Sequence, residues 1–422
     1  MKKISNYIRC GLLTMSMPML TMTVQAQTMT YDQYMQSVVE KNVSYLAEKY
    51  NIDIATANLQ AAKVFNDPEL SVEYGNNQDW YMQMGQSLDL GLSYDLDLGG
   101  VRRARIRSAK TEREIAEASV AAYLSNLRME AAEAWAEAWK LQQNCQVLEA
   151  SVNDMMQIAK SDSIRLSVGD IGRTDAMQSN LEAQTLEGEL IALQADYRNA
   201  LMVLSFMCGG EPVTGVTDDQ LPQHFIPYTE DEICRLAEAN RADLKEAELS
   251  HTLSENNLKL VRASRRMEMN LSLGYSYNTE VRNEIAPAPK FNGLSVGVAI
   301  PLKFSNFNRG ERRAAENEVY QAQKYYEAAR MQVLMEASQA YNAARAATQV
   351  LRKYDETMLQ DAKDIVESRK IGYQKGETSL IELLAAQQTY RDVMQAYIEA
   401  CCNQYICQSQ LAFAIGVIPD KK

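Results

Sequence analysis

Residues that carry chemistry are scarce in this sequence. Only two histidines, His224 and His251, occur in 422 residues, and neither belongs to a nucleophile motif, a phosphate loop or a metal-spaced cluster. No catalytic residue, cofactor or metal site can be nominated, so an enzyme is the weakest reading. A basic surface is also missing. The net charge is −12, whereas nucleic-acid binders carry a basic face, and no nucleic-acid partner is expected. Beyond the first thirty positions no apolar run reaches the roughly 18 residues that a membrane-spanning helix needs. The cysteines past that point, Cys145, Cys208, Cys234, Cys401, Cys402 and Cys407, match neither a disulfide scaffold nor a zinc site. Cys145 and Cys407 fall on helix seams, where cysteine packs as a small hydrophobe. Of the 21 methionines, six precede Gln27 or lie within three residues of it, and most of the rest fit such seams too. Met82-Gln83-Met84 is the one tempting cluster, and thioethers alone serve only soft ions.

Two further absences shape the chain. No proline occurs between Pro68 and Pro212, and no glycine between Arg102 and Leu166. An uninterrupted helix over that second stretch would reach roughly 100 Å at 1.5 Å per residue. Its apolar positions keep coiled-coil spacing: Leu124, Leu127, Ala131, Ala134, Ala138, Leu141, Cys145, Leu148, Val152 and Met155. Trp135 and Trp139, on one face, read as packing residues. A return seam follows at Ala176, Ser179, Ala183 and Leu186.

The plan is written twice. Met129-Glu130-Ala131-Ala132-Glu133-Ala134-Trp135 recurs as Met335-Glu336-Ala337-Ser338-Gln339-Ala340-Tyr341, and Val168-Gly169-Asp170 as Lys375-Gly376-Glu377. Glu40-Lys41-Asn42 recurs as Glu238-Ala239-Asn240. The offset is about 206 residues across the long helices and about 200 before them. Ser379 with Glu382 reads as a capping box that restarts the last helix.

The N-terminus reads as a cleavable signal peptide, with Lys2, Lys3 and Arg9 before an apolar stretch and Val24-Gln25-Ala26 before cleavage ahead of Gln27. A retained signal anchor is the alternative. The expected organisation is a signal peptide over 1–26, a first repeat over 27–210, a linker over 211–228, a second repeat over 229–418 and a tail over 419–422. Repeat one holds strands near 69–75 and 87–98 and long helices near 101–167 and 174–207. Repeat two holds strands near 268–278 and 293–303 and helices near 309–374 and 379–414.

The strand patterns are clear. Leu88 to Leu98 alternates apolar and polar without error, as does Leu294 to Ile300. A half-buried sheet in a soluble protein would alternate likewise. The polar side here is small or charged throughout, and the segments have the roughly ten residues of a membrane strand. Asp89, Asp95 and Asp97 would then line an acidic, cation-preferring pore. Four strands cannot close a barrel, and an open edge in lipid leaves unpaired backbone groups. Two copies would give a filled barrel of eight strands and three a wider one of twelve, which favours a trimer. Arg102, Arg103, Arg105 and Arg107, echoed by Arg309, Arg312 and Arg313, cluster at the strand–helix junctions. They read equally as contacts to lipid phosphates or as a solvated charge run.

Helix–strand–strand–long helix–turn–helix, twice over behind a signal peptide, resembles the TolC-type outer membrane efflux protein family from about Tyr31 to Ile418. The most specific marks are the turns Val168-Gly169-Asp170-Ile171-Gly172-Arg173-Thr174-Asp175 and Gly376-Glu377-Thr378-Ser379-Leu380-Ile381-Glu382-Leu383. The resemblance implies a mainly α fold with a membrane β-barrel: a homotrimeric, twelve-stranded barrel in outer membrane lipid, continued by a periplasmic helical tunnel. It also implies a periplasmic adaptor, an inner-membrane pump, and a role as the exit duct of a tripartite efflux system. By resemblance, Asp175, Tyr373 and Glu382 are gate residues, and Val168, Gly169, Asp170, Gly376 and Glu377 are adaptor-docking tips. Thr378 stands where studied members have arginine, and Ala385 where they have a second aspartate. Asp175 and Glu382 also fit a plainer role as anions in first helical turns, and the turn glycines a plainer one in helix reversal. The outlet of a type I protein secretion system and a periplasmic coiled-coil scaffold remain as alternatives.

Overall fold

The computed structural model describes residues 27–77, 83–217, 221, 228–266, 268–302, 309–354 and 356–416. The expected signal peptide, the tail and Met82 lie outside the described residues. In the first copy, β1 (Gln27–Met29), α1 (Tyr31–Lys41) and α2 (Val43–Ala62) lead to a hairpin of β2 (Glu69–Asn76) and β3 (Gln86–Asp97). Then come α3 (Val101–Ser167), α4 (Arg173–Met207) and β4 (Val213–Val216). The second copy runs α5 (Glu230–Asn240), α6 (Ala242–Ser264), β5 (Glu268–Asn278), β6 (Phe291–Ala299), α7 (Arg309–Leu351), α8 (Glu356–Gln374) and α9 (Leu380–Ala414).

The long strands form one antiparallel sheet in the order β2-β3-β5-β6. The two hairpins join through β3 and β5, where Leu88 faces Tyr277 and Leu96 faces Met269. Because the alternation stays in phase across every pairing, Val72, Leu90, Tyr275 and Leu294 form one apolar rung, and Glu73 opposes Asp89 on the other face. The apolar face is bare: Leu70, Val72, Tyr74, Leu294 and Val296 are all exposed.

Below the sheet the helices keep an equivalent order. Near the strands, α3 lies between α2 and α6, and α7 packs on α6; at the far end, α3 lies between α4 and α9, and α8 packs on α9. α3 is a single rod of 67 residues. It starts on Gly100 (φ +76°), where the Asp97 carboxylate accepts the N–H groups of Val101 and Arg102 at 2.9 and 2.7 Å.

Among the described residues, three large apolar clusters and a small one of Leu59, Ala62 and Ala109 hold the helices. Around Trp135, Tyr34 stacks at 5.0 Å and Tyr31 meets the indole edge-on at 5.9 Å. Trp135 and Trp139 are both buried in this cluster, as packing residues should be. Farther down the rods, Leu148, Val152, Met155, Leu186 and Leu383 form a second cluster, and Ile233, Ala237, Leu244, Val333 and Ala337 form the third. The described cysteines are free thiols. Burial of Cys402 pushes its thiol up to about 12, so it packs as an uncharged side chain.

The structure corrects the reading of the sequence in four places. The helix expected over 309–374 is two helices. After Leu351 the ladder closes with tight bonds, Lys353 N–H to Val350 O at 2.9 Å and Tyr354 N–H to Leu351 O at 3.0 Å. The buried alanines on either side, Ala347 and Ala362, stand one residue more than two heptads apart, so the seam changes phase where the rod breaks. The strand expected over 293–303 begins at Phe291 and ends at Ala299, because Pro301 has no N–H to continue a ladder. The linker is partly a strand, since β4 pairs in parallel with β1. Finally, Gly209 packs on Lys41 and Gly416 on Asn240. That equates Asn42 with Arg241, one residue off the alignment read from Glu40-Lys41-Asn42.

Candidate gate and bore

Two sharp reversals end the rods farthest from the sheet. Both are closed by a left-handed glycine, Gly169 (φ +79°) and Gly376 (φ +76°). In each, the N–H two residues past the helix cap reaches back: Asp170 to Arg165 O at 2.9 Å and Glu377 to Gly372 O at 2.8 Å. That bonding satisfies the last carbonyls of a helix, and it leaves Val168, Gly169, Asp170, Gly376 and Glu377 exposed at the tips.

Just inside the tips, one chain ties its two copies together. The Tyr373 hydroxyl donates to the Asp162 carboxylate, 2.9 Å from both oxygens. Asp162 is wholly buried. Arg165, one turn along α3, binds Asp170 at 2.7 Å, reaches the Tyr373 carbonyl at 3.5 Å, and lies 5.4 Å from the Tyr373 ring and 4.0 Å from Asp162. Lys370 of α8 adds a second tie, to Asp154 of α3 at 2.7 Å. Burial, and then the hydrogen bond to Asp162 and its charge, push the Tyr373 hydroxyl up from its ordinary value, so it remains a donor at neutral pH.

Of the expected gate residues, Tyr373 therefore sits in the network, while Asp175 and Glu382 are exposed beside it. Glu382 forms the expected capping box, accepting from Ser379 N–H at 3.2 Å while its own N–H donates to Ser379 Oγ at 3.3 Å. It also pairs with Arg369 at 3.6 Å. Sequence reasoning missed Asp162 and Arg165. The signal was present: Asp162 falls on the α3 seam after Met155 and Ala159, where a lone carboxylate among apolar positions marks a buried polar partner.

At the sheet, the face opposite the apolar rungs carries Glu69, Glu73, Asp89, Asp95, Asp97 and Glu268 and no lysine or arginine. Asp89 opposes Glu73, and Asp95 accepts from the Asn270 amide at 2.8 Å. Asp97 is engaged with the start of α3. Of the junction arginines, Arg102 is committed to the α2 terminus, bonding the Lys63 carbonyl and stacking over Phe65 at 3.9 Å. Arg105 reaches the neighbouring Val64 carbonyl at 3.3 Å.

The family model described as outer membrane efflux protein matches residues 34–210 and 233–417, both copies of the plan. The chain belongs to the outer membrane efflux protein family. One relative, the cobalt-zinc-cadmium resistance protein CzcC of Cupriavidus metallidurans, is 24% identical over 401 residues, covering 93% of this chain and 91% of its own length. Outer membrane protein TolC of Vibrio cholerae is 19% identical over 366 residues, with 84% of this chain and 83% of its own covered. A solved structure of CusC superposes with a TM-score of 0.76 at 16% identity, covering 92% of each chain. This efflux protein is thus an outer-membrane channel, the exit duct of an efflux system that reaches into the periplasm, with adaptor and pump components as its implied partners.

Proposed function

We propose that three copies of this efflux protein close head to tail into one duct, and that the network inside the tips holds its periplasmic end shut. The observation that carries the trimer is a sidedness kept at three heights. The sheet ends in β2 and β6, the upper helices in α2 and α7, and the lower helices in α4 and α8. These outermost helices also carry bare apolar side chains: Tyr50 and Ile54, Leu181 and Ile191, Met331 and Met335, Ile365 and Ile371. One flank of a chain thus offers β2, α2 and α4 to the opposite flank of the next, a heterologous contact that must close into a ring or run on as a filament. Lipid enforces closure, because each unpaired edge group there costs several kcal/mol. Three copies give twelve strands.

The apolar rungs from Leu96 to Leu88 span about 27 Å along the strand, hence about 21 Å of height at a tilt near 40°. That is close to the apolar band of an outer-membrane barrel. The opposite face then lines the bore, with Asp89 half-buried and Asp95 exposed on it and Asp97 at its inner mouth, and an acidic bore favours cations. The CzcC relative is named for resistance to cobalt, zinc and cadmium, which are cations in solution. At the tips, Asp175 and Glu382 supply carboxylates around the opening, and Val168, Gly169, Asp170, Gly376 and Glu377 present the docking surface for an adaptor.

The test is mass and conductance. The mature protein, purified in detergent, should have the mass of three chains, and cysteines placed on β2 and β6 should cross-link neighbouring chains. In planar bilayers it should form cation-selective pores. A freely soluble monomer would overturn the reading.

A further inference from the structure

We infer that the arginines ringing the base of the sheet form a docking surface for anionic phospholipid in the inner leaflet of the outer membrane. The topology gathers them at one height. β2 starts, β3 ends, β5 starts and β6 ends on the same side of the sheet, so the C-terminus of α6 and the N-termini of α3 and α7 meet there. α3 opens Val101-Arg102-Arg103-Ala104-Arg105-Ile106-Arg107, with no acidic residue in its first turn. The Asp97 carboxylate answers the first amides of this helix, but the arginine run that follows has no acidic residue of its own before Glu112, so its positive charge near a helix N-terminus is left largely unbalanced.

Part of the ring is spoken for. Arg102 and Arg105 hold the end of α2, Arg266 reaches the Gly99 carbonyl at 3.5 Å, and Arg262 and Arg312 share Glu316 at 3.5 and 3.4 Å. No carboxylate partner accompanies Arg103, Arg107, Arg265 or Arg313 among the described residues. Arg103, Arg107 and Arg313 are exposed.

What surrounds them selects the occupant. Phe65, Leu98 and Leu302 stand at the same junctions, 65%, 59% and 68% exposed. Bare apolar side chains interleaved with unpaired guanidinium groups at the lower edge of an apolar band match the boundary of a leaflet, where acyl chains give way to phosphates. Guanidinium suits the task because its planar fork binds two phosphate oxygens at once. A free phosphate in solution would satisfy the arginines but leave Phe65, Leu98 and Leu302 bare.

The inference rests on the sheet lying in the membrane, which mass and conductance report independently. Native mass spectrometry of the full mature protein in neutral detergent, with phosphatidylglycerol or phosphatidylcholine added at equal concentration, tests it. The wild type should retain phosphatidylglycerol about tenfold better, as one to two arginines near a surface supply. The variant Arg103→Gln/Arg107→Gln/Arg265→Gln/Arg313→Gln should lose that preference with its oligomer mass unchanged, whereas Arg173→Gln at the distant tip should keep it. Should the fourfold variant fail to assemble, Arg107→Gln and Arg313→Gln alone should each lower the preference about threefold. Equal retention of both lipids by the wild type, an undiminished preference in the variants, or displacement of the lipid by inorganic phosphate at equal concentration would overturn the inference.

Discussion

Replacing Tyr373 with phenylalanine tests the gate most directly. The substitution removes one oxygen and nothing else from a packed side chain, and with it the hydrogen bond to a wholly buried carboxylate 2.9 Å away. A hydrogen bond to a charged group contributes about 1.5–3 kcal/mol, and losing it leaves the buried acceptor unsatisfied. If the bond exists only in the closed state, each chain's closed-to-open ratio falls by about 10- to 150-fold. Arg165, 4.0 Å from Asp162, can move toward the stranded charge, so the lower end of that range is expected. Single-channel recording in planar bilayers reads the result as open probability. Asp162→Asn should raise it too, and the double variant should gain little over Asp162→Asn alone, because both changes remove one contact. An open probability for Tyr373→Phe within twofold of wild type, in a fully assembled protein, would refute the reasoning.

The same hydroxyl makes a pH prediction. Its raised pKa means that folded protein holds the proton more tightly than unfolded chain, so its stability is fully present below the ordinary tyrosine value of 10.0 and is lost as pH climbs above it. Melting temperature should fall more steeply above pH 10 in wild type than in Tyr373→Phe. Glu382→Gln keeps an acceptor for the capping box but removes the charge, so it should reduce cation selectivity in bilayers while moving stability by less than about 0.5 kcal/mol. Gly169→Ala places a side chain at φ +79° and should destabilise the tip by about 1 kcal/mol, read as faster hydrogen exchange at residues 165–172. Trp135→Ala empties the best-packed site of the upper cluster and should cost about 3–5 kcal/mol in chemical denaturation.

How much of this could be read from sequence depends on how many residues repeat a signal. The long alternation of Leu88 to Leu98 fixes which face each strand buries, and the observed register keeps every rung as the pattern requires. The alanine seams did the same for α3 and α4, whose seam residues Leu127, Ala131 and Ala183 are buried. What escaped was local or solitary. β1 and β4 have 3 and 4 residues, too short for a period to show. The break after Leu351 contains neither glycine nor proline and arises from a phase slip visible only once the buried positions are known. Asp162 and Arg165 escaped because a polar residue on an apolar seam is noise to a periodicity argument, while in three dimensions it is the contact itself.

The two copies are unequal in a way that bears on how such a duct could open. α3 runs unbroken past both α4 and α9 and joins sheet to tip, so it can carry the fixed half of a latch. α8 is cut from α7 above it and packs on α9; its side-chain ties to α3 are Lys370–Asp154 and Tyr373–Asp162. Asp154, Asp162 and Arg165 all belong to the stiff rod, and Lys370 and Tyr373 to the broken one. A hydrogen bond between two continuous rods would only add to packing already present. Between a continuous rod and a short one jointed at Arg352 to Tyr354, the proposed gate would let the same few kcal/mol decide where the short rod rests, and so give a single hydroxyl leverage over the width of the channel.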